Sequence, residues 1–395
     1  MRVTKTIARM IRAGSSQAGE SCRVRIGVLS GKYDLVADFT DAVEDGIDIV
    51  EFDWLEVPAE TVEAANANQG RRVTLPFDAY QMPIDGLKNF ADSDLWLIVS
   101  DRTLKPLAPI RPYAIFATDY IQRYVPEIFE ANASGGYDLP FLQSVREANA
   151  VITTTPQTAE DVVSYVGVPR SRVSLAPMDF DPTSIAETRS SSNKLKKDYF
   201  VWPTNTTKHK NHLRALDAIR EYYDDLNGTL GLKVVGPFSD YMDPENADTP
   251  EWFQKIPYIQ DIQKKIRLSP SIRDNVHFLG ELSDAAYSTA VARARFLWHP
   301  TIYDNGTFAV AEAAWLGTPS LSSDYPQMRY IGERFSIPME FFNAKNSKQM
   351  AFALKNMETK ADRLRGSLPN REALSQHSWQ RYAAEYWAML KGIAA

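Results

Sequence analysis

The chain has 395 residues, 44% apolar and 24% charged, a soluble globular composition too long for one ordinary core, so two domains are expected. A formal charge of −6 and a pI near 5.6 argue against general nucleic-acid binding. The single cysteine, Cys22, excludes an intrachain disulfide and fits a reducing, cytoplasmic setting, and no run of about 18 apolar residues offers a membrane-spanning helix.

Residues 1–22 read as an N-terminal helix and linker. Arg2, Lys5, Arg9 and Arg12 interleave with Val3, Ile7, Met10 and Ile11. That is the pattern of a basic amphipathic helix, which can rest on an anionic membrane surface or simply be solvated. Residues 15–19 read as a linker. The run 24–29 predicts a buried strand ending at Ser30 and Gly31; Gly31-Lys32 lacks the spacing of a phosphate-binding Walker loop. A helix over 34–44, a strand over 47–52 and a helix over 59–68 follow. Strands are predicted over 95–99, 113–116, 151–153 and 173–175, with helices over 140–149 and 156–166. The strand at 113–116 runs into Ala117-Thr118-Asp119. This alternation predicts parallel βαβ units in a doubly wound sheet.

The polar, small-residue-rich stretch 181–197 reads as the domain linker. A second alternating series then runs through strands over 199–202, 232–236, 276–280, 296–298 and 320–323. Its helices fall over 212–226, 250–268, 283–293, 308–317 and 347–364. A last helix is predicted over 380–390. The fold class is therefore α/β. An N-terminal domain spans 23–190, a C-terminal domain spans 191–379, and a ligand cleft is expected between them at the C-terminal ends of both sheets.

Two stretches of the second half carry chemistry. Lys208-His209-Lys210-Asn211-His212 follows a strand and precedes a helix. Two lysines and two histidines at such a turn suit a diphosphate, although a solvated basic helix start would read the same way. In 299–319, a strand end leads through the turn Asp304-Asn305-Gly306-Thr307 into a small-residue helix stopping at Gly317. Asp304 and Glu312, eight positions apart, can be a general acid and base, or acids that hydrogen-bond sugar hydroxyls. They can also be a turn residue and a solvated helix acid. The N–H groups of Gly306, Thr307 and Phe308 would face an anion. Elsewhere, Asp224-Asp225 reads as a helix end, His277 as structural and His377 as a cap or packing residue. His299 lies beside the site, and Trp252, Tyr258, Tyr287 and Trp298 read as core or rim. No Cys/His spacing points to zinc.

These residues carry a resemblance. WPTNTTKHKNHLRALDAI, KVVGP, the long run NVHFLGELSDAAYSTAVARARFLWHPTIYDNGTFAVAEAAWLGTPSLSSD and the closing HSWQRYAAEYWAML follow in the order found in retaining glycosyltransferases of family 4, which have the GT-B fold. In the first half, PYAIFATDYIQRYVPEIF and ANAVITTTPQTAEDVVSYVGVPRSRVSLAPM resemble that family's acceptor-domain run. The resemblance covers roughly residues 95 to 390. It implies two Rossmann-like domains facing across a cleft, with the C-terminal helix over 380–395 crossing back to the first domain.

It also implies roles. Lys210 would pair with the donor diphosphate, assisted by Lys208 or His209. Glu312 would hold the ribose, Asp304 would contact the donor sugar, and Thr307 and Phe308, beside Gly306, would supply main-chain N–H groups. The loop at Gly280 would border the base, and Asp119 would lie near the acceptor. Lys210, Asp304, Glu312 and Asp119 are thus the expected catalytic set. The chain departs from the family pattern at four points, one of them the absence of a recognisable glycine-rich loop after the first strand. Asp304 stands where a glutamate is usual, Thr118 replaces the histidine of a His-Asp pair, and Thr204 or Asn205 stands near an expected arginine.

The activity implied is metal-independent transfer of a hexose, mannose- or rhamnose-like by preference, from a GDP- or UDP-linked donor. The acceptor would be an oligosaccharide or lipid-linked glycan of a bacterial cell surface, at the inner face of the membrane, with peripheral membrane contact. Two rival classes stay open, the first motivated by Asp304 and Thr118. One is a catalytically weak GT-B module that binds or assembles within a glycan-synthesising complex. The other is a GT-B nucleotide-sugar epimerase.

Overall fold

Short runs of β-branched and aromatic residues alternate with longer amphipathic stretches, and the chain folds accordingly into strands and covering helices. The computed structural model describes residues 2–99, 103, 105–128, 138–176, 180–182, 185 and 198–394. The chain divides into two units: Met1–Tyr120, Phe129–Met178 and Trp379–Ala395 form the first; Ile121–Ile128 and Asp179–Ser378 form the second. Apart from 181, 182 and 185, the linker expected over 181–197 lies outside the described residues. Among the described residues no helix is long and apolar enough to cross a membrane.

Among the described residues the first unit holds two sheets rather than the single parallel sheet expected. Strands β1 (Arg25–Leu29), β2 (Asp48–Pro58) and β3 (Ala79–Ile84) make one, with β1 and β2 parallel and β2 and β3 antiparallel. Strands β4 (Trp96–Ile98), β5 (Tyr113–Ala117), β6 (Ala150–Thr153) and β7 (Val173–Leu175) make the other, all parallel and in chain order. β5 and β6 are buried along their whole length, which is why they read as unbroken apolar runs.

The basic N-terminal helix, Arg2–Gln17, is a packing element. Its Ile7, Ala8 and Met10 are buried, so its apolar side is core and not a face open to a membrane. Lys5 pairs with Asp41 at 2.6 Å; Arg9 pairs with Asp41 at 2.8 Å and Asp45 at 2.5 Å. The helix runs through residues 15–17, which the sequence had assigned to a linker. It packs on the C-terminal helix Ala383–Ala394, and at Gly14 a Cβ would overlap the Ala383 carbonyl. That last helix is tied into the first unit, as the GT-B resemblance implied: Tyr386 Oη donates to the Ala176 carbonyl at 2.6 Å, and Trp387 Nε1 donates to Glu20 at 2.9 Å.

Among the described residues the second unit holds one parallel sheet of six strands: β8 (Tyr199–Pro203), β9 (Gly231–Val235), β10 (Val276–Phe278), β11 (Leu297–His299), β12 (Ser320–Ser323) and β13 (Met339–Phe342). Their order across the sheet is β10-β9-β8-β11-β12-β13. Phe200, Trp202 and Trp298 form the aromatic centre of its core, with the Trp202 and Trp298 rings 5.1 Å apart. Helices His212–Asp224 and Ser347–Gly366 pack together against it.

Candidate functional site

From β8 the chain winds outward through β9 to β10, then returns to β11 on the other side of β8. In a parallel sheet such a reversal makes the loops after the two central strands diverge, which leaves a crevice at their C-terminal ends. Here those loops are 204–211 and 300–308, and they carry most of the residues singled out from the sequence.

The loops are tied to each other at three levels. The Ile302 N–H donates to the His209 carbonyl at 2.8 Å. Asn211 takes a left-handed backbone conformation, φ +69°, between the turn Lys208–Lys210 and the helix His212–Asp224. Asparagine tolerates that conformation better than most residues. Its buried Nδ2 donates to the carbonyls of Pro300 at 3.0 Å and Ala344 at 2.8 Å, joining the loops after β8, β11 and β13. Finally, Lys210 Nζ lies 2.5 Å from Asp304 Oδ2, with 16% and 15% of the two side chains exposed. Asp304 Oδ1 accepts the Asn305 N–H at 2.8 Å.

Burial alone would raise the Asp304 pKa, but Lys210, with smaller help from His209 and His299, holds it below the ordinary 3.8. At pH 7 the histidines add no positive charge to this cluster; their help to Asp304 comes only at the low pH where they are themselves protonated. Burial, with the field of Lys210, pushes His209 down to about 4, so it is neutral at pH 7. His212 is fully buried under Trp202; its Nε2 meets Thr204 Oγ1 at 3.1 Å and its Nδ1 meets Tyr258 Oη at 3.0 Å. It holds the loop in place and does not face a ligand. Lys208 is exposed. His299 is buried below the loop, with Nε2 3.1 Å from Thr301 Oγ1. His277, read as structural, is exposed on β10, the sheet's edge strand.

Past Asp304, Gly306 has φ +87°, and a Cβ there would overlap Ile331, so only glycine lets the turn lie against that side chain. Thr307 Oγ1 accepts the Ala309 N–H at 3.2 Å, and Phe308 precedes the helix Ala309–Trp315. Glu312 is buried in that helix's first turn. An aromatic group adjoins Asp304 that the sequence reading missed. Tyr303 stacks on Tyr124 with ring centres 4.0 Å apart, and its hydroxyl accepts from Gln327 Nε2 at 2.7 Å. Tyr325 packs beside Tyr303 at 5.8 Å; its hydroxyl is buried with no hydrogen-bond partner among the described residues. The signal was one tyrosine preceding the acid; the other rings come from distant segments.

Gly280, expected near a base, follows β10, two strands away from β8. Its carbonyl accepts the Gly236 N–H at 2.8 Å. Asp119 lies in the first unit, two residues past β5 and half-buried, next to Thr118. The structure thus brings Lys210 and Asp304 together, with His209 backbone-bonded beside them and Gly306, Thr307, Phe308 and Glu312 following in the same loop and helix. Among the described residues, no three His, Cys, Asp or Glu side chains cluster as a metal site would require.

No protein-family model and no curated protein matches the chain. Solved structures do. A glycosyltransferase from Rickettsia africae is 10% identical, with a TM-score of 0.64 over 98% of this chain and 94% of that one. HepE from Anabaena, solved in complex with UDP-glucose, is 13% identical, with a TM-score of 0.66 over 98% and 95%. WaaG, a glycosyltransferase involved in lipopolysaccharide biosynthesis, is 15% identical, with a TM-score of 0.57 over 98% and 94%. At these identities the likeness speaks for the fold, and the fold is that of the GT-B glycosyltransferases.

Proposed function

We propose that the protein is a retaining glycosyltransferase, related to family 4, that moves a sugar from a nucleoside-diphosphate donor to a glycan or lipid-linked acceptor. The observation that carries this reading is the meeting of Lys210 and Asp304 at the reversal point of the second unit's sheet, within a fold that HepE uses in its complex with UDP-glucose. Lys210 would place positive charge where negative charge develops on the leaving diphosphate, and the N–H groups of Gly306, Thr307 and Phe308 would add to it. Lys208 would reinforce that charge from the exposed side, while neutral His209 could offer one hydrogen bond. Glu312 would accept hydrogen bonds from the ribose hydroxyls and Asp304 from the donor sugar. Gly280 would border the base, and Asp119 would serve the acceptor.

In the transfer, the bond from the anomeric carbon to the diphosphate oxygen breaks. The acceptor oxygen bonds to that carbon on the same face, and its proton passes to the departing phosphate oxygen. No protein nucleophile is required. The donor would be a UDP- or GDP-hexose, mannose- or rhamnose-like by preference. The product would be a bacterial surface glycan built at the cytoplasmic face of the membrane.

A panel of UDP-glucose, GDP-mannose and ADP-glucose in a thermal-shift assay tests this, because a true donor raises the melting temperature by mass action. Lys210→Ala should abolish the shift; a panel with no shift at all would sink the donor-site assignment. The shorter acid Asp304, engaged with Lys210, favours one second reading, a catalytically weak module of a larger glycan-synthesising complex. Turnover that Glu312→Ala abolishes would exclude it, and nucleotide binding without turnover would support it.

A further inference from the structure

We propose that the Lys210–Asp304 pair makes this site read sugar and diphosphate as one ligand, so that an intact nucleoside-diphosphate sugar binds much more tightly than the bare nucleoside diphosphate. The inference rests on the donor-site reading above and adds a selectivity that reading does not contain.

The argument begins with what each group loses. Lys210 Nζ is 2.5 Å from Asp304 Oδ2, and both side chains are largely shielded from water. A diphosphate that recruits Lys210 takes the ammonium away from a carboxylate with little water to replace it. Among the described residues, the groups besides Lys210 whose charge acts on Asp304 are His209 and His299. Both are neutral at pH 7, with pKa values lowered to about 4 and about 3, first of all by burial, so neither supplies a replacement cation. If the ligand ends at the phosphate, the site then holds two negative groups sharing one lysine, and like charges placed together oppose binding. A donor sugar changes this, because its hydroxyls are O–H donors that can meet the carboxylate as the ammonium leaves. Only the whole ligand satisfies both partners.

The same competition acts after transfer. Once the sugar has gone to the acceptor, Asp304 keeps only the Asn305 N–H, on Oδ1, and its other oxygen reclaims Lys210 from the nucleoside diphosphate left behind. The pair would therefore promote product release as well as select the substrate.

Isothermal titration of UDP, UDP-glucose, GDP and GDP-mannose into the full chain, wild type and Asp304→Asn, tests this. For the base that binds, the wild type should favour the sugar nucleotide by about tenfold or more, a factor equal to about 1.4 kcal/mol. Asp304→Asn should bind the bare diphosphate several-fold more tightly than the wild type does, and the preference for the sugar nucleotide should shrink towards unity. Equal wild-type affinities for the two ligands, a measurement that needs no variant, would overturn the inference while leaving the donor site intact. So would an Asp304→Asn variant of wild-type melting temperature whose preference is undiminished. Failure of all four ligands to bind the wild type would overturn the donor-site reading, and this inference with it.

Discussion

Removing Lys210 alone should destabilise the second unit more than removing Lys210 and Asp304 together. Lys210→Met keeps most of the side-chain stem and deletes the ammonium, leaving a carboxylate of which 15% of the side chain is exposed. That carboxylate can stay charged or take a proton. Protonating a group of ordinary pKa 3.8 at pH 7 costs about 4 kcal/mol, which caps the penalty. The Asn305 N–H and the residual exposure lower it, so a loss of about 2–3 kcal/mol is expected. Asp304→Asn strands a lysine instead, but a four-carbon stem can swing its charge into water, and the loss should be about 1 kcal/mol. With the double variant also near 1 kcal/mol, the coupling is about 2 kcal/mol. Urea unfolding at pH 7, followed by tryptophan fluorescence, measures it, because Trp202 and Trp298 lie in this unit's core. The excess loss in Lys210→Met should fade as pH falls towards the ordinary carboxylate range and be gone below about pH 4, because the stranded carboxylate takes its proton above its ordinary pKa. Single losses that add to the double loss within about 0.5 kcal/mol would refute the reasoning.

Acid should loosen the same unit. Burial, ahead of the field of Lys210, lowers the pKa of His212 and His299 to about 3, against an ordinary 6.5. Stability from keeping them neutral is therefore complete above about pH 6.5 and falls as pH drops towards 3, by about 2 kcal/mol per histidine between pH 7 and 5. Urea midpoints at the two pH values should show it, and a flat profile would contradict it. Asn211→Ala strips hydrogen bonds from the Pro300 and Ala344 carbonyls and forces alanine into φ +69°, for an expected loss of about 2–4 kcal/mol. Asn211→Gly should recover only the backbone share, about 1 kcal/mol, of the denaturant-measured loss. Gly236→Ala, at φ +129° with its Cβ overlapping the Thr204 carbonyl, should cost about 3 kcal/mol or more, and an unchanged melting temperature would count against the tight approach of those loops.

What was legible in the sequence follows from burial. Strands covered on both faces must be apolar throughout, so β5, β6 and β8 stood out as short runs bounded by turn residues. β3 and β13 did not. AYQMPI carries Pro83, which argues against a central strand, and it is tolerated here because β3 lies at the end of its three-stranded sheet. MEFF in β13 is four residues long and also lies at a sheet edge. The outer half of β2, paired antiparallel with β3, is mostly exposed and buries only Val57, so it carries no apolar run, and the sequence reading ended the strand at Phe52.

The site was legible as a set of residues and hidden as a set of bonds. Lys210 and Asp304 are 94 positions apart, and only the strand order β9-β8-β11 makes their loops neighbours. A sequence resemblance assigns each residue to a ligand, the lysine to phosphate and the acid to sugar. It cannot say that each is also the other's partner. Residue type misled in the same way at His212. A histidine two residues after Lys210 looks like a cation, but a ring packed on Trp202 with both nitrogens engaged is a neutral brace. The consequence is specific. Because the neighbouring imidazoles are neutral at pH 7, the balance of charge around Asp304 turns on Lys210. Any ligand that moves that one ammonium must compensate the acid it leaves.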